Sequence, residues 1–435
     1  MREFSFWANR HLIADEETES VDSHLPRLRP TDENLQGFDE LLSDWPEPVM
    51  ALYADAGSSI RSITKIHATW RPGRSLTMRY RIRAGDGPLN GSHDLLASVG
   101  DPGQGALVVK GPGADISVWV LPDDPRLPGL RSALHVPTVQ ALLRDLGAEG
   151  DVAFSRMRSY RPGRRAVVQV EAGGSSIFLK VVPPAEVEEL HRKHRHLAGH
   201  LPIPDSLGLA PELGIVVLHS VSGVELRRAL RDGAHPIPAA RAIAGFVAKL
   251  PKPAPEWRSK SSLEMLPGVS ALLTRLVPEA RERIEGLVSE IGPETGSVTV
   301  PVHGDFHEGQ VLIDGSHPVG LLDVDTYGWG RPGADAATML GHLHLLAPGC
   351  RGDAIGLARG LNRHWDAIFD PVALRLNIAS TVLGLATGPF RVQSSRWRAE
   401  TLARIEVAEQ WVRSAHRVDE KNLIATSGGS HDRLR

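Results

Sequence analysis

The side chains with the clearest chemical potential are three aspartates and one glutamine in the second half of the chain. Asp305 precedes Gln310 by five residues, and Asp323 and Asp325 follow after a glycine-containing turn. This arrangement suits phosphoryl transfer, in which one carboxylate accepts the proton of the attacking hydroxyl while amide and carboxylate oxygens hold Mg²⁺ on the nucleotide phosphates. We therefore predict that Asp305 is the base and that Gln310 and Asp323 are metal ligands, with Asp325 supporting a second metal site.

Three short apolar runs must position these side chains. They cover residues 298–302, 311–313 and 319–322, and their alternation and β-branched content predict three strands separated by polar turns. The aspartates then lie at strand ends, where burying a carboxylate is costly unless it is paired, hydrogen-bonded or bound to a metal. The alternative is a β-hairpin whose acidic residues are only solvated.

Three motifs in this segment resemble the aminoglycoside phosphotransferase and choline kinase superfamily. They are HGDFHEGQ at His303–Gln310, LDVD at Leu322–Asp325 and GRPGAD at Gly330–Asp335. Most members have Asn where this chain has Gln310, and Gln is the form found in maltokinases and related actinobacterial sugar kinases. The resemblance covers roughly residues 151–415. It implies an α+β, two-lobed protein-kinase-like fold, with ATP and Mg²⁺ as cofactors.

The resemblance also suggests roles for the remaining polar residues of the segment. His303 is expected to anchor the catalytic loop through side-chain hydrogen bonds. His307 lies beside the base, and we include it with Asp305 as a catalytic candidate that steadies the loop or touches the substrate. Asp335 is expected to brace the loop that precedes the next helix.

An internal repeat organises the first half of the chain. Residues 71–74 and 161–164 both read Arg-Pro-Gly-Arg, and each is followed by an apolar run, at 76–82 and 166–170. In such a turn proline sets φ and glycine permits a positive φ between two antiparallel strands. The sequence therefore predicts two small β-sheets related by duplication.

The third strand of each copy predicts a difference in function. Lys180 lies in an apolar run, where its ammonium requires an anion such as the nucleotide phosphates, although an edge-strand lysine reaching water is the alternative. We align Trp119 with Lys180, in preference to Lys110, because a trailing proline is then also matched. The first copy becomes a degenerate α/β cap without nucleotide, closed by a helix over Val136–Leu146. Maltokinase-like proteins also carry an extra N-terminal domain.

The remaining nucleotide contacts are assigned by resemblance to kinases. No glycine-rich or P-loop motif is present, so Arg164 and its neighbours on the second turn are left to approach the phosphates. Glu189 is the favoured helix partner of Lys180, with Glu186 and Glu188 as alternatives. His219 ends a buried strand at the hinge where related kinases hold adenine.

These observations divide the chain into four predicted parts. They are an N-terminal cap domain at 1–147, a kinase-like N-lobe at 148–222, a C-lobe with the catalytic and acceptor sites at 223–418, and a disordered tail at 419–435.

Composition restricts the broad class of protein. The 435 residues are 41% hydrophobic and 23% charged, which is ordinary for globular protein. A net charge of −3 gives no general attraction to nucleic acid, and no apolar run approaches the length of a membrane span. The start of the chain lacks a secretory signal and Cys350 is the single cysteine. We expect a cytoplasmic monomer or homodimer.

The acceptor can be addressed only through charge. Residues 336–416 contain six acidic residues and nine arginines, so a neutral or anionic hydroxyl compound, most simply a sugar, is expected over a polycationic aminoglycoside. Phe390-Arg391 and Arg396-Trp397 are candidate walls of the acceptor site, with helix packing as the alternative. Two further alternatives are a nucleotide-binding pseudokinase and a Ser-His-Asp hydrolase, although the chain has no G-x-S-x-G motif.

Overall fold

The computed structural model describes residues 30–100, 106–110, 113–148, 150–293 and 296–428, with side chains up to residue 419. It contains two compact units. The first comprises Met1–His191, Ser206–Ser220 and Pro389–Trp397, and the second comprises Arg192–Asp205, Val221–Gly388 and Arg398–Arg435. Residues 1–29 of the predicted cap and residues 429–435 of the predicted tail lie outside the described residues.

The first unit opens with two short helices and a five-stranded sheet. Its elements are α1 (Phe38–Leu42), α2 (Glu47–Asp55), β1 (Ile60–Arg71), β2 (Ser75–Ala84), β3 (Gly91–Val99), β4 (Leu107–Lys110) and β5 (Asp115–Val120). The strand order is β1-β2-β3-β5-β4, and all neighbouring strands are antiparallel. Alternation along β2 places Leu76, Met78 and Tyr80 on one face, and all three are fully buried.

A second set of three helices and five strands follows, and all of it except Arg192–Ala198 of the third helix lies in the same unit. Its elements are α3 (Leu130–Leu134), α4 (Val136–Asp145), β6 (Val152–Arg161), β7 (Arg165–Ala172), β8 (Ser175–Val181), α5 (Val187–Ala198), β9 (Ser206–Ala210) and β10 (Ile215–His219). The order β6-β7-β8-β10-β9 repeats that of the first sheet. The predicted duplication of the sheet is therefore confirmed.

The Arg-Pro-Gly-Arg turns give the register between the two copies. Gly73 and Gly163 have φ of 67° and 61°, a region that favours glycine because it has no Cβ. Counting from these turns, Thr77 pairs with Ser98 in the first sheet, and Val167 pairs with Lys180 in the second. Ser98 is thus the structural equivalent of Lys180.

The predicted alignment of Trp119 with Lys180 is wrong, and so is the alternative with Lys110. Trp119 lies on β5 and Lys110 on β4, which correspond to β10 and β9 of the second sheet. The third strand, β3, reads GSHDLLASV. Its polar first half and largely apolar second half lack the alternation typical of a half-buried strand, so the sequence pattern does not predict a strand there.

The helix predicted over Val136–Leu146 is present as α4, but it does not close the first sheet. Val139 and Leu143 belong to one hydrophobic core with Val168 and the rest of the second sheet. Leu96 and Trp119 of the first sheet are buried in the same core. Helices α3 and α4 are thus the counterparts of α1 and α2, and the two sheets share apolar packing.

The second unit is largely helical. Its elements are β11 (Val224–Glu225), α6 (Leu226–Asp232), α7 (Ala240–Val247), α8 (Ser262–Leu276), α9 (Arg281–Ile291), β12 (Val300–Val302), β13 (Val311–Asp314), β14 (His317–Leu321), β15 (Gly328–Gly330), α10 (Ala334–Leu346), α11 (Ala354–Asp366), α12 (Pro371–Ala386), α13 (Gly388–Arg391) and α14 (Trp397–Gly428). Most of α13 falls in the first unit.

Side-chain caps fix the starts of three helices in this unit. Ser261, Asp353 and Asp370 each accept a hydrogen bond from a backbone N–H in the first turn of α8, α11 and α12. Pro371 at the first position of α12 suits the fixed φ of a helix start. The predicted α+β class, with a β-rich N-terminal part and a helical C-terminal part, is confirmed.

The three predicted strands of the motif segment are present, in two separate small sheets. Strands β13 and β14 form a hairpin that also pairs with β11, whereas β12 pairs with β15. The polar loop between β12 and β13 carries His303–Gln310, and the segment after β14 carries Asp323 and Asp325.

Helix α14 continues to Gly428, where a disordered tail was predicted from residue 419. Residues 419–426 contain no glycine or proline and several good helix formers, so the helix has no local reason to stop earlier. Among the described residues no helix has both the length and the apolar character needed to cross a membrane.

Phe390 packs between two tryptophans and does not line an open surface. Its ring lies 6.1 Å from that of Trp70 and 5.2 Å from that of Trp397, measured between centroids, and the residue is buried. The packing alternative to an acceptor wall therefore accounts for Phe390.

Candidate active site

The loop after β12 is held by hydrogen bonds from both of its flanks. His303 is fully buried, and its Nε2 donates to the carbonyl oxygen of Leu322 at 2.9 Å while its Nδ1 accepts from the Asp305 amide at 3.3 Å. Asp335, in the first turn of α10, accepts from the backbone amides of His303 and Gly304 at 2.8 and 2.9 Å. The predicted anchoring role of His303 is confirmed.

Asp335 was predicted to brace the loop that precedes α10. In the structure it instead braces the loop that contains His303. Burial raises the pKa of this carboxyl, against the influence of His303 and the two amide donors. Gly304 has φ of 83°, and a Cβ there would lie 2.7 Å from the carbonyl oxygen of Thr326. A side chain at this position would clash and strain the backbone, so glycine is required for the loop to pass.

Asp305 projects from this braced loop. Its side chain is 36% exposed, which makes it the accessible carboxylate of the loop. Its Oδ1 lies 3.9 Å from Nε2 of the buried His307. A partly exposed carboxylate on a fixed backbone can accept a proton from a hydroxyl that approaches from solvent.

Gln310 and Asp323 converge beside this loop. Gln310 is buried, and its amide nitrogen lies 3.4 Å from Asp323 Oδ2. The backbone joins the same two segments, because the amide of Leu322 donates to the carbonyl oxygen of Gln310 at 2.8 Å. Asp323 adopts a left-handed conformation, with φ and ψ both 58°, a strain that non-glycine residues adopt chiefly at functional sites.

The protonation of His307 favours the amide oxygen of Gln310 as the atom that faces Asp323. His307 Nδ1 accepts from the Gly309 amide at 3.0 Å, so the proton of the neutral ring is on Nε2. That Nε2 lies 3.2 Å from the Gln310 amide group, which must present its oxygen to receive the proton. The same oxygen would then meet Asp323 Oδ2, and two oxygens this close suit a hard cation such as Mg²⁺.

A second set of metal-ligand types is formed by Asp305, His307 and His342, whose ligand atoms lie within 4.8 Å of one another. The two imidazole rings are stacked, 4.3 Å apart and 7° from parallel. The Gly309 amide already occupies Nδ1 of His307 and leaves the proton on Nε2. A metal ion at Nε2 would require removal of that proton, or its transfer to Nδ1 with loss of the Gly309 bond, so this set is a poor cation site compared with Gln310 and Asp323.

A buried ion pair lies beneath the loop. Arg227 Nε donates to Glu308 Oε1 at 2.8 Å, and the Arg227 amide donates to the Glu308 carbonyl oxygen. Burial would raise the pKa of Glu308, but Arg227 and the adjacent imidazoles hold it at about 2. Burial lowers the pKa of His307 to about 4, and burial with the adjacent His307 ring lowers that of His342 to about 3. Both imidazoles are therefore neutral at pH 7.

Asp325 is fixed through its backbone. The ammonium of the buried Lys193 donates to the Asp325 carbonyl oxygen at 2.7 Å and lies 5.9 Å from the ring centroid of Trp257. Asp325 belongs to the 3₁₀ turn Val324–Thr326 that directly follows Asp323. Lys193 thus holds the backbone beside the candidate metal ligand.

The residues predicted to bind nucleotide all belong to the first unit. Lys180 is 5% exposed on β8 and shares a face with Phe178 and Val182. Arg164 is exposed on the turn before β7, Glu189 is exposed on α5, and His219 is exposed at the end of β10. The first unit thus contains this set, and the second contains Asp305, His307, Gln310, Asp323 and Asp325.

A comparison of the sequence with protein families gives a match that begins in β6 and ends in α12. The phosphotransferase enzyme family matches residues 157–376, which is just over half of the chain. The chain belongs to the phosphotransferase enzyme family. The matched residues include the second sheet, the loop with Asp305 and the hairpin before Asp323, and they exclude the first sheet.

Several solved phosphotransferase structures are similar at low sequence identity. A thermostable mutant of aminoglycoside phosphotransferase APH(4)-Ia is 16% identical, with 63% of this chain and 97% of that chain covered and a TM-score of 0.46. The gentamicin complex of APH(2")-IIa is 13% identical, with 62% and 96% covered and a TM-score of 0.44. Macrolide 2'-phosphotransferase MphH from Brachybacterium faecium is 17% identical, with 62% and 97% covered and a TM-score of 0.40.

The search of curated proteins gave no match. Family membership therefore defines a kinase-type phosphotransferase without naming its acceptor.

The sequence reasoning missed the residues that support the loop. Glu308 lies inside the motif and could have been noticed, because a charged residue in a loop expected to be buried needs a partner. Arg227, Lys193 and His342 are far from the motif in sequence and have no local signal that would indicate their contacts.

Proposed function

We propose that this chain is an ATP- and Mg²⁺-dependent phosphotransferase that phosphorylates a hydroxyl group of a small molecule. The supporting observation is the braced loop, which presents the partly exposed Asp305 next to the converging side chains of Gln310 and Asp323. Membership of the phosphotransferase enzyme family supports the same reaction class. The remaining residues receive roles from this arrangement and from the kinase resemblance.

Asp305 acts as the base that orients the acceptor hydroxyl and accepts its proton. Gln310 Oε1 and Asp323 hold Mg²⁺, with Asp325 as a candidate for a second metal site; bound there, the ion neutralises charge on the transferring phosphoryl group. His307 keeps its proton on Nε2 and orients the Gln310 amide, a supporting role that replaces direct catalysis.

Four residues of the first unit bind the nucleotide in this proposal. Lys180, which is buried on a strand face, neutralises phosphate charge, as a strand-three lysine does in protein kinases. Arg164 approaches the phosphates from the exposed turn, and the strand end at His219 contacts adenine through backbone groups. Glu189 orients Lys180, as a helix glutamate does in protein kinases.

The acceptor that we propose is a neutral or anionic sugar-like compound. A polycationic aminoglycoside needs several carboxylates that face it, and most of the six acidic residues in 336–416 already have partners. Asp353 and Asp370 cap helices, Asp366 pairs with Arg375, and Glu409 pairs with Arg283. Arginines of this segment also form ion pairs, so net charge is a weak argument. The proposal of a neutral or anionic acceptor is supported mainly by the carboxylates that already have partners.

The test measures ADP release with a panel of acceptors at saturating ATP and Mg²⁺. Glucose, maltose, glucosamine, kanamycin and erythromycin cover neutral sugars, an amino sugar, a polycation and a macrolide. We expect the highest kcat/KM with a neutral sugar and a strongly reduced acceptor-dependent release from Asp305→Asn. Reactions without an acceptor serve as the blank.

Two outcomes would redirect the proposal. If kanamycin gave by far the highest kcat/KM, the charge argument would fail and an antibiotic phosphotransferase would replace the sugar kinase. If ATP bound without acceptor-dependent release from any compound, the pseudokinase alternative would gain support.

A further inference from the structure

The two sheets of the first unit carry matching buried aspartates. Asp32 Oδ2 accepts from Trp70 Nε1 at 2.9 Å and from the Gly73 amide at 2.7 Å. In the second copy, Asp124 Oδ2 accepts from the Tyr160 hydroxyl and from the Gly163 amide, both at 2.7 Å. Each aspartate thus joins the segment before its two helices to the glycine of its Arg-Pro-Gly-Arg turn.

The backbone around the aspartates is repeated too. The Leu35 amide donates to the Asp32 carbonyl oxygen at 3.0 Å, and the Leu127 amide donates to the Asp124 carbonyl oxygen at 3.0 Å. The duplicated unit is therefore larger than a sheet. Within residues 32–120 and 124–219, each copy has one aspartate, two helices before the sheet and five strands, and the second copy also contains α5. The tie between aspartate and glycine belongs to the fold of both copies.

Asp124 holds its turn through strong bonds. The residue is 3% exposed, and its Oδ1 accepts a third hydrogen bond, from the Arg126 amide at 2.9 Å. Hydrogen bonds to a buried carboxylate are stronger than those between neutral groups. Loss of the carboxylate would leave the Gly163 amide and the Tyr160 hydroxyl without their acceptor, and the turn would gain freedom.

The two turns differ in what accompanies them. In the second copy the turn carries Arg164 in the same sheet as Lys180, whereas the first copy has Ser98 at the lysine position, hydrogen-bonded to Thr77 at 2.8 Å. The matched family includes only the second turn. The same bond between aspartate and glycine is therefore present in one copy with the nucleotide-binding candidates and in one copy without them. The first copy can serve as a control for effects of this bond on folding alone.

We propose that Asp124 is a positioning residue for the nucleotide. It fixes the backbone of Gly163, and with it the position of the next residue, Arg164, so that the Arg164 guanidinium meets the phosphates, and it lowers the cost of ordering the turn on binding. This inference rests on the proposed function, because it assigns the second turn to ATP. Asp32 performs the same structural task at a turn that binds no nucleotide.

The test compares Asp124→Ala with Asp32→Ala in the full chain, because alanine removes every side-chain acceptor at both positions. Loss of the hydrogen bonds that hold a binding loop should raise KM for ATP about tenfold in Asp124→Ala, with kcat within about threefold of the parent because Asp124 touches no reacting atom. Asp32→Ala should also lower Tm but leave KM for ATP unchanged. A fall of Tm in both variants with a rise of KM only in Asp124→Ala would separate nucleotide positioning from folding.

Three results would overturn the inference. They are an unchanged KM in Asp124→Ala, an equal rise of KM in Asp32→Ala, and a fall confined to kcat. If Asp124→Ala does not fold, Tyr160→Phe and Trp70→Phe replace the pair, and KM must rise only in Tyr160→Phe. A parent that fails to bind ATP overturns the proposed function together with this inference, whereas a parent with normal ATP binding and insensitive variants overturns this inference alone.

Discussion

At the scale of single residues, the arrangement of protons explains why similar side chains have different roles. His303 donates to a carbonyl oxygen, His307 receives a backbone amide on Nδ1, and Asp305 remains the accessible carboxylate. Each assignment follows from which atom is already occupied by a neighbour. The proposed base is the member of the loop whose side chain remains partly exposed.

Acid sensitivity is the first prediction at this scale. The pKa of His342 is lowered to about 3, below its unfolded value near 6.5. Between these values the unfolded chain binds the extra proton, so stability is complete above pH 6.5 and falls as pH decreases. At about 1.4 kcal/mol per pKa unit, His342 accounts for roughly 2 kcal/mol of stability lost between pH 6.5 and pH 5.

Urea unfolding of the parent and of His342→Gln at pH 7.5 and pH 5 measures this contribution. The variant should lose less stability than the parent over the interval. Equal losses would contradict a buried, neutral imidazole at this position.

The candidate catalytic and metal-binding side chains could be named from sequence, and the residues that support them could not. Asp305, Gln310 and Asp323 are candidates because their types and spacing suit one reaction, phosphoryl transfer. Lys193 and His342 act through contacts that only the folded chain creates, and no local pattern indicates them. The incorrect alignment of Trp119 with Lys180 has a similar cause, because strand register depends on pairing between strands and not on local sequence.

At the scale of elements, short segments are fixed by single bonds from distant helices. The 3₁₀ turn Val324–Thr326 follows the strained backbone of Asp323 and is held by the ammonium of Lys193 on α5. Strained backbone persists only when surrounding contacts determine it. The helix therefore supports the backbone next to the candidate metal ligand Asp323 without contributing a ligand itself.

The prediction for this element compares two neighbouring residues of α5. Lys193→Met removes the bond to the Asp325 carbonyl oxygen, and we expect the Mg²⁺ concentration for half-maximal activity to rise about fivefold or more, the effect of one hydrogen bond from a charged group. Arg192→Met is the matched control, because its guanidinium lies 5.8 Å from the same Trp257 ring but is exposed and pairs with Glu256.

Titration of activity with Mg²⁺ and direct titration of Mn²⁺ binding give two readouts. A similar rise in both variants would show that contact with Trp257 matters and that the bond to Asp325 does not.

At the scale of the whole molecule, the chain contains one α/β unit twice and a helical unit once. The two copies preserve strand order, the Arg-Pro-Gly-Arg turn and the buried aspartate, while the lysine of the third strand is present only in the second. The duplication could be recognised in the sequence because the turn conformation requires proline and glycine at fixed positions. The inclusion of helices α1 to α4 in the duplicated unit could not be recognised, because many different apolar residues can form the contacts of these helices.

Nucleotide stoichiometry follows from this comparison. Because Ser98 replaces the lysine in the first copy, calorimetric titration with ATP should give one site per chain. Lys180→Met should abolish that site or weaken it at least about tenfold, as expected when a buried charge partner of the phosphates is lost. Two equivalent sites, or an ATP affinity unaffected by Lys180→Met, would contradict the assignment of the copies.

The central claim is that Asp305 is the base of a phosphotransferase, and the most direct test is the substitution Asp305→Asn. The change keeps the shape of the side chain and removes its capacity to accept a proton. Phosphoryl transfer to the best acceptor and ATP affinity are measured on the same preparation. We predict a loss of kcat of about 10²-fold or more, with ATP affinity within about twofold of the parent because the phosphates are bound elsewhere. Transfer within a few-fold of the parent rate would contradict the claim.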